Sequence, residues 1–304
     1  MSKLNVQIDY YLSCCRSQKK LNEKTIKAYS IDLAQFAASL EQEPEPLTKH
    51  CILQYVQALH EQYKPKTVKR KIASIRSFIN YLEFDEQIET NPLDKIRLSF
   101  REPLTLPKAL PLSTIRKLLK TAYRSLEEEQ SEFQYNIKLR NIAIIELLFA
   151  TGLRVSELCS IKPVDIDLSS GFIRVTGKGA RERIAFIGNV AALTALQKYK
   201  AVFSSQIENA EWFFINRFGH KLTEQSVRNA IQAYAELADI TGRITPHMFR
   251  HSFATLMLEE DVDIRYIQNI LGHSSISTTQ IYTHVSLEKQ KNIMKKHPRN
   301  KIMI

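Results

Sequence analysis

The chain has 304 residues, of which 44% are hydrophobic, and it carries 43 Lys and Arg against 32 Asp and Glu. This length and composition favour a globular protein, more readily two domains than one, each with a real core. The net charge of +11 predicts a polyanionic partner such as nucleic acid, because neutralised phosphates release their counterions. Ribosome-associated and membrane-surface proteins can be equally basic, so the charge indicates a class of partner and no activity.

The cysteines and the N-terminus indicate the compartment. Cysteines stand at positions 14, 15, 51 and 159, with no CxxC pair, and this spacing suits neither a zinc site nor a disulfide framework. Free thiols in a reducing cytosol are the simplest interpretation. The opening "MSKLNVQIDYYL" lacks the apolar core of a signal peptide, and no apolar run approaches the roughly 20 residues that span a bilayer. We expect a soluble, cytoplasmic chain with no membrane partner.

The first hundred residues have the spacing of helices. "NEKTIKAYSIDLAQFAASL" follows the helical period of 3.6 residues, and Asn22 precedes it as a candidate N-cap. "KPKTVKRKIASIRSFINYL" places five apolar residues on one stripe. The apolar positions are Ile26, Tyr29, Leu33 and Phe36 in the first segment and Val68, Ile72, Ile75, Ile79 and Leu82 in the second.

The second of these helices also carries a run of basic residues. Five positive side chains fall on the surface beside the apolar stripe, with no acidic residue among them. A run of this kind is ordinarily a solvated helix face, but five unopposed charges within eleven residues favour a helix that faces phosphates. The predicted DNA contacts are Lys66, Lys69, Arg70, Lys71 and Arg76.

A proline-rich stretch, "REPLTLPKALP", separates this region from the rest, because three evenly spaced prolines forbid a helix and favour an extended tether. Beyond it, Ser113 is expected to open a helix, and "NIAIIELLFATGL" predicts a buried helix that ends at Gly152. Residues 171–187 predict two strands around a Gly-Lys-Gly turn, and the pattern is helical again from Thr223. The prediction is a mainly α protein with a small β-sheet: a helical domain at 1–100, a linker at 101–112 and an α+β domain at 113–304.

Four places in the second domain are hard to explain by folding alone, and two of them lie in its first half. Arg154 follows the apolar helix in "ATGLRVSEL", with Glu157 three residues on and within helical reach. Lys178 stands at the tip of "TGKGAR" between glycines that allow a tight turn. The plain alternatives are that Arg154 only pairs with Glu157 and that Lys178 only decorates a hairpin.

The other two places lie nearer the C-terminus. "PHMFRHSF" puts His247 and Arg250 three residues apart, on one side of a helix. "LGHSSISTTQIYTH" places His273 upstream of Tyr282 within a stretch rich in hydroxyl residues. A helix-capping histidine and a half-buried tyrosine in a turn are the plain alternatives.

Two other motifs can be set aside. "HMFRH" has the histidine spacing of zinc metalloproteases, but Met248 stands where the catalytic glutamate of HExxH is required. "GFIRVTGKG" departs from a P-loop, because five residues separate Gly171 from Gly177 and Gly179 replaces the magnesium-binding Ser or Thr. The sequence supports no metal, no ATP and no other cofactor.

The candidate residues are two arginines, a lysine, two histidines and a tyrosine in a basic protein. Together these groups can supply the chemistry of a reaction at a phosphodiester. The planar fork of a guanidinium can bind two non-bridging phosphate oxygens. Two such groups neutralise a pentacoordinate transition state, as metal ions do elsewhere. A tyrosine with a pKa of about 10 needs a base or nearby positive charge in order to attack, and a lysine can protonate the departing hydroxyl. A covalent phosphate ester conserves the bond energy, so strands can be rejoined without ATP.

"ATGLRVSEL", "PHMFRHSFATLML" and "LGHSSISTTQIYTHV" resemble the signature boxes of the tyrosine recombinase (integrase) family, above all its Xer-type branch. The resemblance is strong over 140–285 and weaker over the N-terminal domain, where "TVKRKIASIRSFINYL" is similar to a Xer DNA-clamp helix. "HPR" at 297–299 is similar to the Xer tail. The resemblance implies a SAM-like core-binding domain and a catalytic domain that close on DNA as a C-shaped clamp.

Carried onto this chain, the resemblance implies that Tyr282 attacks the scissile phosphate and becomes a 3′-phosphotyrosine. Arg154 and Arg250 would bind the non-bridging oxygens, and Glu157 matches the acid that orients the first arginine.

The resemblance assigns the remaining roles as well. His247 would transfer the proton of the tyrosine, and Lys178 would protonate the 5′-hydroxyl leaving group, with Lys162 as a weak alternative. His273 stands where the family has His or Trp, and it would hydrogen-bond the phosphate.

Family, partners and tail leave alternatives open. A DNA-binding accessory protein without activity and a type IB topoisomerase are the competing functions. The implied partner is double-stranded DNA with paired inverted half-sites, bound by four copies of the chain or by a mixed tetramer with a paralogue.

Residues 120–139 are longer than in a compact Xer protein, which allows a mobile-element role. The tail, with Leu287, Ile293 and Met294 on one helical face, is expected to dock into a neighbouring subunit or to fold back on its own domain.

Overall fold

The computed structural model describes residues 3–43, 45, 47–94, 96, 109–177, 182–272, 292–295 and 297–302. The chain divides into two compact units, residues 1–105 and 106–304. Most of the predicted linker, 101–112, lies outside the described residues. No helix in the described ranges is both long and apolar enough to cross a membrane.

Over its described residues, the first unit contains four helices: α1 Lys3–Ser17, α2 Glu23–Ser39, α3 Lys49–Gln62 and α4 Pro65–Phe84. The predicted cap of α2 is confirmed, since the side-chain oxygen of Asn22 accepts a hydrogen bond from the backbone N–H of Lys24 at 2.9 Å. The apolar stripe of α4 is confirmed as well, because all five of its predicted members are buried. The helices therefore form where the helical period and the cap predict them.

A buried carboxylate on α2 changes the interpretation of the basic run on α4. Asp32 is completely buried, and it accepts hydrogen bonds from Lys71, Arg70 and Ser74. The prediction that Lys71 lies on the surface is wrong: its side chain is 3% exposed, and it also binds Gln35. Burial of Asp32 without a cation would be costly, so Lys71 acts as its counter-ion inside the unit.

The second unit is built around one buried helix. The helices are α5 Leu112–Arg124, α6 Glu132–Thr151, α7 Val155–Leu158, α8 Val190–Val202, α9 Ser204–Glu208, α10 Glu224–Leu237, α11 Pro246–Glu259 and α12 Ile264–Leu271. Every side chain of α6 from Ile142 to Thr151 is buried, and α6 contacts α5, α8, α10 and α11. The predicted buried helix is confirmed, and α5 begins one residue before the predicted Ser113.

A small antiparallel sheet lies in the middle of this unit. Its strands are β1 Ile166–Asp167, β2 Phe172–Thr176 and β3 Glu182–Phe186, in the order β1–β2–β3. The two predicted strands of 171–187 are confirmed. Ile173 pairs with Ala185, and Val175 pairs with Arg183. Paired residues point to the same face of a sheet, and Ile173, Val175 and Ala185 are all buried, so Arg183 projects from the core-facing side.

The described part of the tail packs on its own unit. Met294 is buried among residues of α11 and α12, and the imidazole of His297 stacks on Phe253. Arg299 is 2% exposed and donates to the carboxylate of Glu146 on α6, with an Nε–Oε2 distance of 2.7 Å. In the single chain these residues therefore take the second of the two predicted positions, on their own domain. Leu287 lies outside the described residues.

The buried pair of Arg299 and Glu146 yields a stability prediction. Arg299→Met should lower the free energy of unfolding by about 3–5 kcal/mol, because it leaves the carboxylate buried without a cation. The double variant Glu146→Leu/Arg299→Met should lose less than the single variant. Urea unfolding of the full chain measures both. The matched control is Arg228→Met, whose pair with Glu224 is more exposed and contributes about 0.5 kcal/mol or less. Equal losses in the single and double variants would rule out the unpaired carboxylate as the cause.

Candidate active site

The site begins where the buried helix α6 ends. Gly152 caps this helix with a positive φ of 62°, the left-handed conformation that favours glycine. A Cβ at this position would lie 2.7 Å from Cδ2 of Leu271 at the end of α12. Only a glycine therefore lets the C-terminal ends of α6 and α12 approach each other. Arg154 follows two residues later, directly before α7.

Glu157 holds Arg154 in two ways. Its Oε2 accepts from the backbone N–H of Arg154 at 2.8 Å, and its Oε1 accepts from Nη1 of the same residue at 2.8 Å. The first contact caps the N-terminus of α7, and the second orients the guanidinium. The side chain of Arg154 is 36% exposed, whereas that of Glu157 is 4% exposed. The predicted pairing is confirmed, and the arginine is left accessible at one edge.

Arg250 lies deeper in the same place. This residue of α11 is buried; its Nη1 donates to the carbonyl of Gly152 at 2.9 Å and its Nη2 donates to the carbonyl of Leu271 at 2.7 Å. Burial lowers its pKa to about 10, and the positive charge of Arg154 adds to this effect. Arg250 thus ties the ends of α6 and α12 together while it remains a cation at neutral pH.

His247 stands one turn before Arg250 on α11, with its side chain exposed. Partial desolvation lowers its pKa below the usual 6.5, and the neighbouring charges of His251, Arg250 and Arg154 lower it further. The imidazole is therefore mainly neutral at pH 7, which is the form that can accept a proton.

The sequence interpretation missed Arg183 on β3. Its Nη1 and Nη2 donate to Oε1 and Oε2 of Glu157, both at 2.9 Å, and its Nε donates to the carbonyl of Ile270 at 3.1 Å. The available signal was alternation along β3, because Arg183 occupies the same face as the buried Ala185 and Ile187. A charged residue at a core-facing position requires a buried partner, and that partner is Glu157.

The remaining predicted residues lie outside the described residues: Lys178 falls within 178–181, and His273 and Tyr282 fall within 273–291. The last described residue before 273–291, Gly272, lies next to the site. Gly272 ends α12 with a φ of 67°, and its carbonyl accepts from Nη2 of Arg154 at 3.4 Å.

The described residues thus bring Arg154, Arg250, Glu157 and His247 together and add Arg183. Three guanidinium groups and one carboxylate give the cluster two net positive charges. Within the described part of the chain, Arg154 and Arg250 each use two of their five N–H groups on protein oxygens. The planar guanidinium groups are suited to bind an anion that presents two adjacent oxygens, such as the non-bridging oxygens of a phosphodiester. Among the described residues, no three His, Cys, Asp or Glu side chains are grouped as metal ligands.

Comparison with known families agrees with this geometry. Residues 113–289 match the model of the phage integrase family. Residues 8–85 match the model described as the phage integrase N-terminal SAM-like domain.

Individual relatives match along nearly the whole chain. A tyrosine recombinase of Agathobacter rectalis is 49% identical over 301 residues, covering 98% of each chain. The tyrosine recombinase XerD of Listeria innocua is 36% identical, covering 97% of this chain and 100% of the relative. The crystal structure of the XerH site-specific recombinase in a post-cleavage complex with a palindromic difH substrate has a similar fold, with a TM-score of 0.72 at 21% identity over 94% of this chain and 83% of that one. The chain therefore belongs to the phage integrase family of tyrosine recombinases, which are enzymes that transfer DNA strands.

Proposed function

We propose that this chain recombines duplex DNA at specific sites, with Tyr282 as the nucleophile and with Arg154 and Arg250 as the groups that bind the scissile phosphate. The observation that carries the proposal is the convergence of the two guanidinium groups on the carbonyls of Gly152, Leu271 and Gly272. Gly272 directly precedes the segment that contains Tyr282, so the residues that contact the proposed phosphate-binding groups lead along the chain to the proposed nucleophile.

The proposed reaction needs no ATP and no metal. The phenol oxygen of Tyr282 attacks phosphorus and gives its proton to neutral His247. The P–O bond to the 5′-oxygen breaks, and Lys178 protonates that oxygen as it leaves. His273 hydrogen-bonds the phosphate. A 5′-hydroxyl of another strand then attacks the 3′-phosphotyrosine, reverses these steps and completes the exchange.

The proposed contacts of the first unit with DNA lie on α4. Lys66, Lys69 and Arg76 are exposed there, and exposed cations along one helix favour binding to a phosphate backbone. Arg70 is half-exposed and shares its charge with Asp32, so it contributes less. Lys71 is excluded from the set, because it is buried against Asp32.

We also propose the partners and the place of action. The substrate is double-stranded DNA with paired inverted half-sites, bound by four subunits that are copies of this chain or of this chain and a paralogue. Support comes from the family membership, from the net charge of +11, and from the DNA substrate in the XerH complex of the same fold. The chain would act in the cytoplasm, at the nucleoid.

Tyr282→Phe should abolish cleavage and leave DNA affinity nearly unchanged, since it removes only the nucleophilic oxygen and leaves the charge that dominates binding. Denaturing recovery of protein-linked DNA, followed by sequencing, first identifies a target site. A nicked duplex of that site should then give a covalent adduct with the wild-type chain and none with the variant. An adduct formed by Tyr282→Phe would assign the nucleophile elsewhere.

Arg154→Lys and Arg250→Lys should each slow single-turnover cleavage by about 100-fold or more, the usual scale for the loss of one preorganised donor. An ammonium group cannot reproduce the bidentate contact, and at position 250 it cannot reach both carbonyls. The matched control is Arg265→Lys, since Arg265 is exposed and paired with Asp263; it should stay near wild type. Rates within a few-fold of wild type for Arg154→Lys and Arg250→Lys would show that both arginines are only structural.

The protonation state of His247 can be measured directly. Its NMR titration midpoint in the free protein should lie below 6.5, because desolvation and nearby positive charges disfavour the imidazolium. Arg154→Met removes one of these charges and should raise the midpoint. The signal is assigned by its loss in His247→Gln. A midpoint above pH 7 would contradict the role of a base that is mainly neutral at pH 7.

A further inference from the structure

A third arginine contacts the same carboxylate as the proposed phosphate-binding group. We infer that Arg183 is a positioning residue for strand cleavage, which holds Glu157 so that the charge of Arg154 remains available to the scissile phosphate. The inference rests on the proposed role of Arg154 and extends it by one residue that neither the motifs nor the chemistry of the sequence had included.

The carboxylate of Glu157 is shared unequally between Arg183 and Arg154. Arg183 forms two parallel hydrogen bonds to Glu157, one to each oxygen, whereas the side chain of Arg154 donates to only one of them. The bidentate arrangement is the stronger of the two. Arg183 is 15% exposed and Glu157 is 4% exposed, so little solvent screens their interaction.

This division decides how much positive charge faces the substrate. Glu157 carries one negative charge, and Arg183 alone can neutralise it. Without Arg183, Glu157 would pair fully with Arg154 and draw both of its Nη groups away from the phosphate. The site would then lose one positive charge where a pentacoordinate transition state gains a negative one.

The pKa of Glu157 agrees with this geometry. Burial alone would raise that pKa, but hydrogen bonds and charge from Arg183, followed by those from Arg154, hold it below its usual range. Glu157 is therefore ionised at neutral pH in the intact chain, where its negative charge is shared by Arg183 and Arg154.

Arg183 also touches the end of α12. Its Nε donates to the carbonyl of Ile270, and its Cδ would lie 3.0 Å from a Cβ at Gly272. The same side chain thus connects β3, Glu157 and the last described residues before the segment of Tyr282.

The test compares single-turnover cleavage, at saturating protein, by Arg183→Met, Glu157→Gln and the double variant. Arg183→Met should cleave about 100-fold more slowly than wild type, with DNA affinity within a few-fold. The double variant should recover about tenfold, because a neutral amide does not capture Arg154. Arg174→Met on β2 is the matched control, since its side chain is exposed on the opposite face of the sheet; it should cleave at the wild-type rate.

A second substrate separates charge from folding. A duplex with a neutral methylphosphonate at the scissile position demands less positive charge, so the defect of Arg183→Met should shrink from about 100-fold to a few-fold. A purely structural defect would slow both substrates equally. If Arg183→Met does not fold, the same comparison is made with Arg183→Lys, which keeps the charge but not the bidentate contact.

Three results would overturn the inference: normal cleavage by Arg183→Met, no recovery in the double variant, or equal defects on the two substrates. The proposed function is judged separately, by wild type and Tyr282→Phe on the same nicked duplex. If wild type forms no adduct, the proposed function fails before Arg183 is in question.

Discussion

Backbone carbonyls at the ends of two helices are the constraint on which the site depends. The last carbonyls of a helix lack partners inside it and must find donors elsewhere. At the ends of α6 and α12 these donors are guanidinium groups: Arg250 binds the carbonyls of Gly152 and Leu271, and Arg183 binds that of Ile270. The groups that close the fold are therefore also groups to which we assign roles in the reaction, Arg250 at the scissile phosphate and Arg183 through Glu157. If these roles hold, stability and activity cannot be varied independently at these positions.

The same arrangement concentrates like charges. Arg250 remains protonated although its pKa falls to about 10, since about one molecule in a thousand is neutral at pH 7. Glu157 offsets part of the repulsion among the three arginines, and it has no further carboxylate oxygen to offer. In the proposed function, a phosphodiester supplies the missing negative charge, and its transition state supplies more. The electrostatic cost of the folded site would then become a preference for the species that the site stabilises.

Rules that relate residues close together in the sequence predicted many of the helices and part of the site. Helical period, the cap at Asn22 and the glycine at 152 indicated real elements, and the motif residues indicated Arg154 and Arg250. Interactions between distant segments were beyond those rules. Lys71 is buried because Asp32 stands beside it, 39 positions earlier. The interaction of Arg183 with Glu157 can be recognised only in the folded chain, where β3 pairs with β2 and contacts α7. The pair of Arg299 and Glu146 spans 153 positions, and no periodicity within either segment specifies it.

Residues that are held firmly in the second unit lie on both sides of the segment 273–291, which contains Tyr282. On one side, three arginines hold the carbonyls of Ile270, Leu271 and Gly272; on the other, Met294, His297 and Arg299 are buried in the same unit. Tyr282 stands ten positions after Gly272, a reach of up to about 33 Å in extended chain. The proposed nucleophile therefore belongs to a segment that is preceded and followed by residues of the unit that carries the guanidinium groups. Because Nη2 of Arg250 donates to the carbonyl of Leu271, a movement at the end of α12 would displace both the proposed phosphate-binding group and the residues that lead along the chain to the proposed nucleophile.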